Sequence, residues 1–433
     1  MEDLTLSSPA PSLVSPDLPE ALRPPTTPVR LSFSILLTAA NSVLFLCYAG
    51  VGGLLLPLQV GQIDPANKVA NLGIGGGITV LLALLANPIA GALSDRTASR
   101  FGRRRPWIFF GAIVSAMALA VMMFAGNIVM LFVGWGLFQI TSNLILAALA
   151  AIVPDQVPDQ QRGTISGIIG LGIPVGSIVG SIVIGQVLKV PSLSYVFIIA
   201  ILLLILIPYS LVLPDKALPR EFVAPFNLLA FLKNFWVNPR QHPDFGWAWL
   251  TRFLSILGYF MGVGYLFYYL EDYIKFEQLF PGQQIVQGVS TVNIVSTLVS
   301  VVSTLIGGVL SDRFKRRKIF VVISSSIVAL ALLMLGFFPS WTMVLVASGV
   351  LGFGFGVYLS VDAALVTQVL PSATDRAKDL GIINIANTLP QSLAPVVAAV
   401  FITKFHSYPT LFVASAIVTL LSGILIQPIK SVR

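Results

Sequence analysis

Thiol and imidazole groups are nearly missing from this chain, which has one cysteine, Cys47, and two histidines, His242 and His406, in 433 residues. A lone cysteine excludes an intramolecular disulfide, and without Cys, His or carboxylate groups at ligand spacing no metal site is expected. No Gly-x-x-x-x-Gly-Lys-Ser/Thr stretch occurs, so the phosphate cradle needed for direct use of ATP is absent. There is no nucleophile–base constellation either, so no enzyme activity and no cofactor are expected. Charge is scarce as well: Asp, Glu, Lys and Arg make up 10% of the chain, against roughly 25% in a soluble globular domain. What fills the space is apolar, at 56% hydrophobic residues, so the solvent for most of this surface is lipid.

Apolar runs near the ~20 residues that cross a bilayer recur almost from end to end. Twelve are predicted, at about 32–60, 69–94, 107–126, 128–153, 163–187, 194–213, 246–270, 287–310, 319–338, 342–370, 381–403 and 408–428. They are continuous rather than alternating and too long for the roughly 10-residue strands of a membrane barrel. The expected fold class is therefore an all-α integral membrane protein of twelve transmembrane helices.

The net charge of +8 follows the membrane rather than a nucleic acid. With the amino terminus inside, only Lys68, Lys189, Lys275 and Lys404 fall outside, leaving 22 of 26 cationic residues in the cytoplasm. That bias predicts both termini cytoplasmic, and the plasma membrane is the expected location. Residues 1–29, rich in proline and serine, read as a disordered cytoplasmic tail. Residues 30–213 form a first bundle, 214–245 a cytoplasmic linker and 246–433 a second bundle. Within the linker, 226–236 is either a helix lying on the membrane surface or a plain tether.

The chain is built twice. Gly91-Ala-Leu-Ser-Asp95-Arg96 returns as Gly308-Val-Leu-Ser-Asp312-Arg313, an offset of 217 residues, and each copy runs into a cationic cluster. Pro154 and Pro371 share the same offset, each expected to end the fourth helix of its half. Two bundles of six pseudo-symmetric helices follow.

On these residues the chain resembles the major facilitator superfamily over nearly its full length after residue 30. The stretch Ser94-Asp-Arg-Thr-Ala-Ser-Arg-Phe-Gly-Arg-Arg-Arg-Pro-Trp107 is similar to the loop of sucrose and other glycoside:proton symporters. The second copy departs from the pattern by lacking a glycine before Arg316-Arg317. The resemblance implies a conformational latch at Gly91, Asp95, Arg96 and Arg103, with Asp312 and Arg313 as its second copy. Read from charge alone, the same arginines anchor their loop to lipid phosphates.

Of 18 acidic residues, only Asp362 falls inside a predicted span, where an ionisable group costs at least ~2.5 kcal/mol unless it faces a cavity or a partner. Two readings stay open: a proton-binding carboxylate, or a tie to Arg313 or Arg316. Spans 1 to 6 offer no interior carboxylate for coupling, and Asn41 stands in span 1 instead. Uncharged polar groups recur at helical spacing: Gln139 and Asn143, Tyr358 and Asp362, and Asn384, Asn387 and Gln391. With Asn41, Tyr48 and Tyr265 they are the candidate lining of a central cavity suited to a neutral polyol. Tyr268 and Tyr269 read as interfacial, and Thr291, Asn293, Ser296, Thr297, Ser300 and Ser303 as helix packing.

The expected function is a secondary active transporter that moves a small neutral solute, a sugar or glycoside, by alternating access, with proton coupling left open. Export of amphipathic compounds and a non-transporting sensor are the competing readings. The expected partners are a small-molecule substrate, a proton where coupling exists, and the lipid bilayer; no nucleic acid is expected, and the chain is expected to be a monomer.

Overall fold

The computed structural model describes residues 19–23, 25–188, 190–223, 242–314, 316–369 and 376–429. The first part of the tail, Lys189, the 226–236 segment, Lys315 and Pro371 lie outside them, as do the side chains of Arg376, Lys378 and Asn384. Twelve helices are long and apolar enough to cross a membrane. In the first half these are α1 (Leu31–Ile63), α2 (Lys68–Asp95), α3 (Arg105–Met123), α4 (Ile128–Gln156), α5 (Asp159–Val187) and α6 (Pro191–Val212). In the second half they are α7 (Pro243–Tyr273), α8 (Ile285–Phe314), α9 (Arg317–Phe337), α10 (Trp341–Val369), α11 (Arg376–Phe405) and α12 (Tyr408–Leu425).

All twelve predicted spans are present, and their ends shift for physical reasons. Pro154 does not end its helix: α4 continues to Gln156, because proline removes one ladder bond and bends a membrane helix without stopping it. α7 starts at Pro243, with proline at the first helical position, where its missing N–H goes unused. Arg252, counted from sequence on the cytoplasmic side although it falls inside the predicted span 246–270, stands within this helix. Wider turns interrupt α1 at Tyr48–Leu55, α5 at Val183–Val187 and α7 at Tyr269–Tyr273. Such turns re-aim side chains and cluster at functional positions.

The two halves repeat one packing scheme. α1 packs on α5 and α6, α2 on α4, and α3 on α4 and α6; six helices later, α7 packs on α11 and α12, α8 on α10, and α9 on α10 and α12. The seams between halves obey the same symmetry, α2 against α11 and α5 against α8. Both seams are made by glycine. A Cβ on Gly73 would stand 2.6 Å from the Ala399 Cβ, and one on Gly185 would stand 2.1 Å from the Ser290 Cβ. Close backbone approach is what small residues supply in lipid, where apolar area alone drives no association. Because Gly185 sits at the seam between halves, Gly185→Val is expected to leave each bundle folded but to push α5 off α8. Impermeant-thiol labelling of a cysteine placed at Ser290 then rises, with little change in melting temperature.

Candidate substrate cavity and gates

At one end the halves are bonded side chain to backbone. The amide of Gln186 on α5 donates to Gln287 O at 3.0 Å and to the Ser290 hydroxyl at 2.5 Å on α8. The Tyr265 hydroxyl lies 2.9 Å from Val69 O and 3.0 Å from Pro395 O, and Tyr268 donates to Pro57 O at 3.0 Å. Tyr265 is therefore a seam residue rather than a cavity wall. Tyr268 and Tyr269 are fully buried, not interfacial, since each hydroxyl finds a backbone carbonyl; Tyr269 donates to Leu335 O at 2.6 Å.

A charged clasp closes the same end. Lys68 at the start of α2 lies 2.6 Å from Glu271 and 2.6 Å from Asp272 at the end of α7. Its ammonium also stands 4.8 Å from the centre of the Tyr268 ring, and Tyr408 donates to Asp272 at 2.7 Å. The hydrogen bonds of Gln186, Tyr265 and Tyr268 and the ion pairs of Lys68 thus join the two halves at this end.

Beneath it lies a cavity of about 220 Å³ bounded by both halves, with Ala49 of α1, Ser177 and Ser181 of α5, Tyr259 of α7, Asn293, Ser296 and Thr297 of α8, and Ser348 of α10 on its wall. Hydroxyls, one amide and apolar side chains line it, with no charged group. Tyr259 is backed by Phe355, with ring centroids 3.7 Å apart and planes 13° apart, so an aromatic face is held rigidly at the wall. Asn293, Ser296 and Thr297 are spaced i, i+3, i+4, one helical face. The packing expected for span 8 is seen instead at Thr291, which is bonded by Gln186, and at Ser303, whose hydroxyl also reaches Gly352 O of α10 at 3.4 Å.

None of the candidate lining residues whose side chains are described borders this cavity. Those of the first half make their own network: Tyr48 meets the Ser142 hydroxyl at 2.7 Å, and Asn143 donates to Gln139 O at 2.8 Å. Asn143 also accepts from Asn87 at 3.2 Å, a residue that sequence spacing did not single out. Trp135 and Phe138 stack beside it, with Tyr48 set edge-on to both. Asn41 donates to Leu37 O on its own helix, and Gln391 donates to Asn387 O on its own. Asn384 has no described side chain.

Asp362 is buried at 6% exposure, and its partner is neither Arg313 nor Arg316. It pairs with Arg252 of α7 at 3.1 Å, the arginine that the charge bias had counted on the cytoplasmic side. Tyr358, one turn earlier on α10, is buried with it.

At the other end, the repeated loops form two lattices. Asp95 pairs with Arg104 at 2.5 Å, not with Arg103; Arg104 also reaches Asp155 at 2.9 Å and Ser94 at 2.7 Å. Arg103 holds Asp155 at 3.1 Å and donates to Ala21 O at 3.0 Å. Gly102 is the turn that permits this: its φ is +100°, and a Cβ there would strike the carboxyl of Asp215. That carboxyl accepts from the backbone N–H groups of Arg104 and Arg105. Burial works against the Arg104 charge, but the carboxylates of Asp155 and Asp95 outweigh it and hold the guanidinium protonated more firmly than usual. Arg96 donates to Ala92 O at 2.8 Å, and Gly91 meets open space. In the second copy Asp312 pairs with Arg317 at 3.5 Å, within its own half. The roles of Arg104, Asp155 and Asp215 were missed because the turn at Gly102 decides which arginine meets Asp95.

Two bundles related by a six-helix shift, joined at one end and enclosing an uncharged polar cavity, are the architecture of a two-halved membrane transporter. A sequence profile described as Major Facilitator Superfamily matches residues 31–289 and 284–431, and the chain belongs to that family. No curated protein matches the sequence. Among solved structures, a bacterial homolog of the human lysosomal transporter Spinster, inward-facing and occupied, is similar with a TM-score of 0.66 at 14% identity, covering 93% of this chain and 97% of that one. A variant of the nucleoside transporter NupG gives 0.70 at 13% identity, covering 92% and 100%. A variant of the peptide transporter POT in complex with sulfate gives 0.71 at 14% identity, covering 91% and 93%. At these identities the likeness concerns the fold.

Proposed function

We propose that this transporter carries a small neutral polar solute, a sugar or glycoside, through the cavity between α1, α5, α7, α8 and α10. The observation behind this reading is the cavity wall: hydroxyls, the Asn293 amide and the rigid Tyr259 face, with no charged side chain. Such a wall pairs with hydroxyl groups and stacks on ring C–H faces, while it gives a charged solute no counter-ion. With the amino terminus in the cytoplasm, as the arginine bias implies, the joined end faces outward and the cavity delivers inward. The Asp95–Arg104 and Asp312–Arg317 lattices then stand at the cytoplasmic loops as the parts that re-form across the halves when the outer seam opens. Arg252 gives Asp362 the counter-charge that a structural brace needs, so we read the pair as a brace and not as the proton carrier.

Uptake of radiolabelled sugars into proteoliposomes, with and without an inward proton gradient, tests this. Wild type is expected to accumulate at least one neutral sugar, and Asn293→Ala to weaken its half-saturation about tenfold, as losing a buried hydrogen bond to a substrate hydroxyl does. Asp362→Asn is expected to keep any gradient-driven accumulation. A wild-type protein that moves no neutral sugar, or an Asn293→Ala variant with wild-type uptake, overturns the reading.

A further inference from the structure

A second groove, about 1000 Å³, lies away from the central cavity, between the N-terminal residues 20–23 and 25–30 and the loop end of the first bundle. Its wall changes character from one side to the other. Toward the loops it carries Arg23, Arg30, Arg103 and Lys216; toward the span it carries Phe33, Leu36 and Val212. Leu36 is 46% and Val212 68% exposed on the flank of the bundle, where acyl chains run.

The carboxylates nearby are already engaged. Glu20 pairs with Lys216 at 2.8 Å, Asp155 is held by Arg103 and Arg104, and Asp215 accepts backbone N–H groups. That leaves the groove short of anions. Arg30 makes no ion pair among the described residues, and it begins α1 without a side-chain cap, so the first N–H groups of that helix point their partial positive charge the same way. The Tyr209 hydroxyl on the groove wall is buried, 5% exposed, and has no hydrogen-bond partner. A buried hydroxyl in a native fold needs a partner, which the surrounding side chains do not supply here.

We propose that this groove holds the phosphate headgroup of an anionic phospholipid from the adjacent leaflet, with Arg30 and the Tyr209 hydroxyl on the phosphate oxygens and the acyl chains along Leu36 and Val212. Guanidinium and phenol donors suit phosphate, and the lateral apolar opening selects a lipid over a free ion. The lipid would brace the N-terminal segment that Arg103 already ties through Ala21 O.

Native mass spectrometry of the delipidated full-length protein, titrated with phosphatidylglycerol or with phosphatidylcholine of the same acyl chains, tests the site. Wild type is expected to retain one phosphatidylglycerol about fivefold or more over phosphatidylcholine, the scale of one basic contact to an anionic lipid. Tyr209→Phe with Arg30→Gln abolishes that preference while leaving phosphatidylcholine retention and the lipid-free melting temperature unchanged. Equal retention of the two lipids, or an unchanged preference in the double variant, overturns the proposal. Displacement of the lipid by millimolar inorganic phosphate also overturns it, since that would make the groove a site for a soluble anion.

Discussion

Arg252→Ala is expected to cost the folded protein about 3–5 kcal/mol, the scale for removing one partner of a buried ion pair, and to remove most of the protein recovered from the membrane. The Asp362 carboxylate is 6% exposed and has the guanidinium at 3.1 Å as its counter-charge; without it a bare carboxylate stands among Tyr358, Val361 and the α7 wall. Asp362→Asn is milder, because an amide tolerates that surrounding and the arginine stem can carry its charge toward the loop end. The pair is not tuned for stability alone: the Arg252 Nε is buried without a partner. The apolar double replacement Arg252→Met with Asp362→Leu is therefore expected to melt at or above the wild-type temperature, with a coupling between the sites of about 0.5–3 kcal/mol. Thermal unfolding in detergent of the four proteins decides the matter. An Arg252→Ala variant that melts like wild type shows that the pair holds nothing. A stable double variant that has lost gradient-driven uptake makes the pair part of the transport cycle and not only a brace.

Length and hydropathy made the twelve spans legible, because lipid demands the same ~20 apolar residues wherever a helix crosses, and the 217-residue repeat carried the pseudo-symmetry. Asp362 stood out for an equally simple reason, the cost of a charge at depth. Its partner did not. The charge bias counted Arg252 as cytoplasmic although the predicted span 246–270 already enclosed it, and no local signal says which face of α7 it takes. The cavity wall was legible only as a pattern: Asn293, Ser296 and Thr297 share a face, but whether that face meets a neighbour or a void depends on how one half docks on the other. Contacts between Lys68 and residues more than 200 positions away have no local signal at all. The choice of Arg104 over Arg103 turned on one positive φ at Gly102, a backbone fact that the run of three arginines conceals.

Lys68→Met is expected to release the joined end and shift the protein toward opening there by about tenfold. The lysine spans the seam between halves, from α2 to the end of α7, with two carboxylates at 2.6 Å and the Tyr268 face at 4.8 Å. Partly exposed ion pairs contribute roughly 0.2–1 kcal/mol each, and an ammonium over an aromatic face contributes about 0.5–1 kcal/mol. Together these reach about 1.4 kcal/mol, a tenfold change in population. Methionine keeps the apolar stem and removes only the charge, so the hydrogen bonds of Tyr265, Tyr268 and Gln186 remain and the bundles stay folded. Ala49 borders the central cavity; in a Cys47→Ser background, Ala49→Cys reports access from the joined end through the rate of modification by an impermeant maleimide. Lys68→Met, or Glu271→Gln with Asp272→Asn, is expected to raise that rate about tenfold, and high salt to raise it in the wild type by screening the clasp. Lys275→Met, which removes an exposed lysine without an ion pair at the same end, is expected to change nothing. Labelling rates within twofold of wild type in both clasp variants would leave the seam to its glycines and tyrosines, with the charges as passengers.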